Sequence, residues 1–295
     1  MKMYKKALAL LAVLALTVTV FAGCTSGKKV VIGSKDFTEN KILAEIMAQL
    51  IENNTDIKVE RKINMGGTFV CFEAMKKGQI DIYPEYTGTG LTAQLKLPVE
   101  TDPEQVYATV STEFEKQFQI KWLKPIGFNN TYALAVPQEL ASKNNLESIS
   151  DLGNFAKDLV FGAEHEFFNR EDGYDGLIKV YDLTFKNIAK MDVSLKYQAI
   201  GQGKMDVTDA FTTDGQLKAL NLMVLKDDKN FFPPYYAAPI VRNEVLENNP
   251  QLEELLNKLA GTIDDQKMQE LNYKVDNEKQ TIKKVAEDFL KEAEI

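Results

Sequence analysis

From residue 38 to 51 the apolar positions fall at Ile42, Leu43, Ile46, Met47, Leu50 and Ile51, with polar residues between them. Steps of three and four place one buried stripe on a helix, and Thr38 stands where a side-chain cap would start it. Before it, VVIG (30–33) is a short apolar run broken by glycine, the pattern of a buried strand. KVERKI (58–63) reads as a second strand, 68–77 as a second helix and 79–83 as a third strand. FQIKWLKP alternates and reads as a further strand, which assigns Trp122, the single tryptophan, to packing. Leu252, Leu255, Leu256 and Leu259 return to helical spacing near the end and predict helices packed on the first lobe. Strands alternating with helices predict an α/β fold with a largely parallel sheet.

The same order occurs twice. FEAMKKGQIDIYPEYTGTG from Phe72 and YQAIGQGKMDVTDAFTTDG from Tyr197 align at a constant offset. Ala74 matches Ala199, Gly78 matches Gly203, Asp81 matches Asp206 and Tyr86 matches Phe211. VVIGSK at Val30 and LVFGAE at Leu159 form a second, weaker pair. Each copy reads helix, glycine stop, strand, then an aromatic residue in a loop, which predicts two lobes of like construction. Ligands of open parallel sheets bind beyond the carboxyl ends of the strands, so Tyr86 and Phe211 would line one cleft from opposite lobes. FFPPYYAAP (231–239) suits neither a helix nor an inner strand at its adjacent prolines. That stiff, irregular support would hold Tyr235 at the same cleft.

The first residues are of another kind. MKMYKK is basic, 7–22 is uncharged and largely apolar, and FAGC ends the run, the pattern of a secretory signal. Small residues before Cys24 resemble a bacterial lipoprotein cleavage site, with Phe21 where an aliphatic residue is usual. Residues 1–23 are thus expected to be a signal peptide, Cys24 the lipidated residue and 24–29 the tether. The protein would then sit outside the cytoplasm, anchored to the outer face of the cell membrane. The formal charge is −8 and grows more negative once the leader's lysines are removed. That argues against a nucleic-acid partner, whose phosphates need a basic surface. Cys71, inside TFVCFEAM, reads as core. With one histidine and no Ser/His/Asp, Cys/His or metal-ligand set, the sequence calls for no metal, no cofactor and no enzyme. The rival from that class is an enzyme working through carboxylates of the loops DGYDG and TTDG.

Six segments carry a further signal: GSKDFTE (33–39), IDIYPEYTGT (80–89), FNNTYALAV (128–136), HEFFNREDGYDGL (165–177), DAFTTDG (209–215) and DDKNFFPPYYAAP (227–239). In this order they resemble the substrate-binding lipoproteins of ABC importers for quaternary ammonium solutes such as glycine betaine, carnitine and choline. The resemblance covers nearly all of the chain after Cys24. It implies a bilobed periplasmic-binding-protein fold of type II, with 30–132 and 236–295 in lobe 1 and 133–235 in lobe 2. It also implies a small quaternary ammonium ligand, lobes that close on it, and delivery to a membrane permease driven by a separate ATPase. Carried over by motif, the cation cage is Tyr86, Tyr132, Phe211 and Tyr235, with Asn130 in its wall. The carboxylate contacts are Lys35, Thr89 and Arg170. Phe211 departs from the family's usual tyrosine, and Asn130 stands where some relatives have aspartate.

These residue types suit the ligand. A quaternary ammonium has no N–H to donate and spreads its charge over methyl groups, so ring faces hold it at about 0.5–2 kcal/mol each. Arginine meets a carboxylate through two parallel N–H bonds. Two cations in the site point to a zwitterion rather than to choline, which has no carboxylate. Ergothioneine, a trimethylammonium carboxylate with an added thione ring, is the alternative ligand for the same cage and the same Arg170.

Overall fold

The computed structural model describes residues 29–295; the expected signal peptide and Cys24 lie outside them. In the first sheet β1 (Lys29–Gly33) runs parallel to β2 (Lys58–Lys62) and β3 (Ile82–Tyr86). Antiparallel to β3 lies β10 (Ala237–Arg242), and β4 (Ile120–Trp122) flanks it, giving the order β2-β1-β3-β10-β4. The second sheet repeats this plan. There β6 (Val160–Glu164) runs parallel to β7 (Asn187–Met191) and β8 (Val207–Phe211). On its far side β5 (Tyr132–Pro137) opposes β8 and β9 (Leu222–Leu225), in the order β7-β6-β8-β5-β9. In both sheets the opposed strand is the one built just after the chain changes sheets.

The internal repeat is visible residue by residue. Helices α2 (Thr68–Lys76) and α3 (Val193–Gly201) precede β3 and β8. Their matched stops, Gly78 and Gly203, have φ of 66° and 67°, a left-handed conformation that costs glycine nothing because it has no Cβ. Helix α1 (Thr38–Asn54) buries its predicted apolar stripe completely. Polar Glu39, Asn40, Glu45 and Gln49 are buried on it as well. The reason is that α1 is covered twice: by the first sheet, and by the helix Gln251–Leu256 together with α4 (Asp265–Asp276) and α5 (Ile282–Glu292). Each fully buried leucine or isoleucine in this layer contributes about 1.5–3 kcal/mol.

Two local expectations are corrected. The third strand begins at Ile82 rather than at residue 79, because Gln79 N–H still donates to Ala74 O (2.8 Å) at the end of α2. It then runs through Pro84, which lies opposite Pro239; neither can donate, so theirs is a non-hydrogen-bonded pair of the ladder. Thr38 is the first helical residue and not the cap, which is Phe37. Its hydroxyl donates instead to Asp276 Oδ1 on α4 (2.6 Å). Trp122 packs edge-on against Phe114 at 5.3 Å. Cys71 is buried, and burial pushes its thiol up to about 12, so both are core as expected.

Candidate ligand-binding cleft

A cleft of about 1120 Å³ is lined from both sheets, and all eight side chains expected to meet a ligand border it. Tyr86 and Phe211 end β3 and β8. Tyr132 opens β5 directly opposite Phe211, so it belongs to the second sheet. Their ring centroids are 4.5 Å apart, and Tyr235 meets Tyr132 edge-on at 5.5 Å. A fifth ring was not foreseen. Phe37 lies 5.9 Å from Phe211, nearly parallel to it, and 6.0 Å from Tyr86.

Tyr235 is held as its proline-rich setting predicts. Residues 231–236 form neither helix nor strand, and every bond that fixes them comes from elsewhere. Asp227 accepts the N–H groups of Phe231 (3.0 Å) and Phe232 (2.9 Å). Asn129 Oδ1 accepts Tyr235 N–H (2.7 Å), and Tyr235 O accepts Asn130 N–H (3.0 Å). Thr87 donates its hydroxyl to Pro234 O (2.9 Å). A Cβ on Gly88 would lie 2.8 Å from Pro234 O and 2.9 Å from the Tyr235 ring, so this close approach needs glycine.

The two cations carry partners that alter the charge argument. Arg170 donates from Nε (2.8 Å) and Nη2 (2.6 Å) to both oxygens of buried Asp172. Burial pushes the Asp172 carboxyl up, but the guanidinium outweighs it and holds it below its ordinary range. Arg170 Nη1 lies outside this fork, 3.8 Å from Glu166 Oε1. The guanidinium also sits 5.5 Å from the Tyr132 centroid and 5.8 Å from that of Tyr235. Lys35 Nζ donates to Glu85 Oε1 (2.6 Å) and Thr68 Oγ1 (2.8 Å), with the Tyr86 centroid 5.1 Å away. Each cation is thus balanced by an acid of the protein, and counting cations alone does not disfavour choline. Thr89 is buried at the cleft in the short turn after β3.

The carboxylates were the residues that sequence reasoning passed over. Glu39 is buried at the cleft and accepts four hydrogen bonds from neutral donors: Tyr86 Oη (2.8 Å), Asn130 Nδ2 (2.6 Å), Thr213 Oγ1 (2.5 Å) and Asn272 Nδ2 (3.2 Å). Desolvation raises its pKa to about 7 despite those bonds. The carboxyl group absent at Asn130 is therefore supplied next door, by a residue bonded to it. Glu164 is the counterpart in the second sheet and accepts Tyr132 Oη (3.0 Å). Asp214 also borders the cleft, and burial raises its pKa as well. The signal was present: Phe37 and Glu39 lie inside GSKDFTE, and Asp172 follows Arg170 in NRED.

A bilobed α/β protein with an aromatic cleft between two repeated sheets is a binding protein in its architecture. Residues 28–292 match the family described as the substrate binding domain of ABC-type glycine betaine transport systems, and the chain belongs to that family. It is 39% identical over 298 residues to the carnitine transport binding protein OpuCC of Listeria monocytogenes serotype 1/2a, covering 98% of this chain and 97% of that one. It is 40% identical over 264 residues to EgtU of Helicobacter pylori, described as an ergothioneine transport permease/ergothioneine binding protein. That match takes in 89% of this chain but only 47% of the relative. Among solved structures, a crystal structure of a glycine betaine/carnitine/choline ABC transporter matches with a TM-score of 0.77 at 37% identity, covering 91% of this chain and 99% of that one.

Proposed function

We propose that this protein captures a trimethylammonium zwitterion of the glycine betaine or carnitine kind and delivers it to the permease of an ATP-driven importer. The observation that carries the reading is the meeting of Tyr86, Tyr132, Phe211 and Tyr235 in one cleft with Lys35, Thr89 and Arg170. Four ring faces at about 0.5–2 kcal/mol each would hold the cationic head. Arg170 Nη1, outside the Asp172 fork, would meet the carboxylate. A ligand touching both lobes binds the closed form better, and only that difference shifts the opening equilibrium.

The lobes in this reading are 30–132 with 236–295, and 133–235. The two sheets support the division, with Tyr132 on the second sheet's side of the boundary. Attachment through a lipid on Cys24 belongs to the same proposal, as does an ATPase partner. No helix among the described residues is long and apolar enough to cross a membrane. Replacement of Cys24 by serine should release the protein from the membrane fraction, and continued membrane retention would count against the anchor.

Calorimetric titration of the chain after Cys24 with glycine betaine, carnitine, choline and ergothioneine tests the ligand class. Tight binding of glycine betaine or carnitine supports the reading. Preference for ergothioneine would keep the cage and favour the second reading, which the similarity to EgtU supports. Binding of none of the four would remove the proposal.

A further inference from the structure

Three cage tyrosines donate their phenol protons to buried carboxylates: Tyr86 to Glu39, Tyr132 to Glu164 and Tyr235 to Asp172. The third acid differs from the other two, because Asp172 is forked by Arg170. Glu39 accepts only from uncharged donors. Glu164 has one lysine nearby, but Lys196 Nζ gives its hydrogen bond to Asp209 (2.9 Å). Both glutamates border the cleft and both are buried. Each acid has lost its water, and neither accepts a hydrogen bond from a cation; Lys196 acts on Glu164 only through its charge.

We propose that Glu39 and Glu164 are the counter-charges of the cage, ionised by the arriving cation, so that ligand capture releases protons and weakens in acid. The inference rests on the reading of the cleft as a quaternary ammonium site. The bonding around Glu39 suits the ionised form: all four of its neighbours donate, and a carboxylate is acceptor-only. A proton on Glu39 would need an acceptor, which would turn a hydroxyl of Tyr86 or Thr213 around. With Glu39 ionised, the Tyr86 hydroxyl donates to an anion and its ring face grows more electron-rich, which favours a cation on it.

The surroundings set the sign. Glu39 faces Tyr86 from β3 and Asp214 from the loop after β8, and no positive group is among the charges that shift it. Glu164 faces Lys196 on α3, Asp209 on β8, Glu166 in the loop after β6 and Tyr132 on β5. Desolvation raises the two carboxyls to about 7 and about 8, outweighing the hydrogen bonds that lower Glu39 and the Lys196 charge that lowers Glu164, with the neighbouring acids adding to the rise. A bound cation favours the charged form and lowers both pKa values. Affinity is then greatest above the free-state values and falls as pH drops below them.

The test is calorimetric titration of the chain after Cys24 with glycine betaine and with choline, neither of which titrates between about pH 6 and pH 8.5. Each titration is run in two buffers of different ionisation enthalpy. The expected result is a Kd about threefold to tenfold weaker at pH 6 than at pH 8.5, with fractional proton release near pH 7. Glu39→Gln and Glu164→Gln should each remove part of both signals. Binding that is independent of pH and releases no proton would overturn this inference while leaving the reading of the cleft intact. Absence of binding at every pH, for carnitine and ergothioneine as well as for these two, would remove both. The proton-release measurement uses the unaltered chain, so a variant that fails to fold does not decide the matter.

Discussion

Tyr86 and Phe211 close equivalent strands in equivalent sheets, and the frame around them is nearly the same. Each follows a helix with a left-handed glycine stop, and each has a buried lysine–acid pair beside its ring. Lys35 bonds Glu85 at 2.6 Å and Lys196 bonds Asp209 at 2.9 Å, both with Nζ 5.1 Å from the ring centroid. The polar groups diverge. The Tyr86 hydroxyl is tied to Glu39, whereas Phe211 has none. Beyond Phe211, Asp214 accepts the backbone N–H of that residue (3.0 Å) and the Tyr197 hydroxyl. Repetition of the backbone places rings symmetrically about the cleft, while the charge behind each ring is set locally. Each sheet keeps its lysine–acid pair internal and sets a buried glutamate behind a cage tyrosine, Glu39 behind Tyr86 and Glu164 behind Tyr132.

Arg170→Ala should have the largest effect on this contrast. It would leave Asp172 buried and unpaired, at a cost of about 3–5 kcal/mol in stability, readable by denaturant unfolding. Binding of glycine betaine should weaken about a hundredfold or more, and binding of choline much less. Equal weakening of both ligands would defeat the carboxylate assignment. The double change Arg170→Met with Asp172→Asn should restore much of the stability without restoring glycine betaine binding.

Tyr235→Leu comes next, with about a tenfold loss of affinity for every quaternary ammonium, since one ring is worth roughly 0.5–2 kcal/mol. Asn130→Asp would replace a donor to Glu39 by a second acid and should shift preference toward choline by several-fold in competition titrations. Phe211→Tyr makes the two strand ends alike and should alter the ligand ranking by less than about tenfold. An unchanged ranking in both of these variants would argue that neither position borders the ligand.

The smallest effect is on the unliganded protein. Glu39 has a folded pKa raised above its unfolded value, so its contribution to stability is fully present below the unfolded value and is lost as pH rises through about 7. Melting temperature without ligand should fall modestly across that window, and the stabilisation given by ligand should grow. Melting curves that do not change with pH would weaken the case for Glu39.

Much of this was legible in the chain. Helical spacing gave α1, the constant offset between Phe72 and Tyr197 gave the paired lobes, and the motifs brought eight residues to one cleft. What was not legible came from contacts between distant segments. Glu39 sits in the first turn of a helix, where an acid usually reads as a favourable end charge; its partners Thr213 and Asn272 arrive from the turn after β8 and from the C-terminal helices. Thr38 offered a cap that a tertiary bond to Asp276 took instead. The acid beside Arg170 is written into NRED, but nothing in local sequence shows that Glu85, 50 residues away, is turned toward Lys35. Burial of a charge is decided by the fold around it, and so is the choice of its partner.

The most direct measurement is a crystal structure of the chain after Cys24 with glycine betaine bound. The account predicts the trimethylammonium group among the rings of Tyr86, Tyr132, Phe211 and Tyr235, with the carboxylate on Arg170. A head group held away from those rings, or a carboxylate with no contact to Arg170, would contradict it.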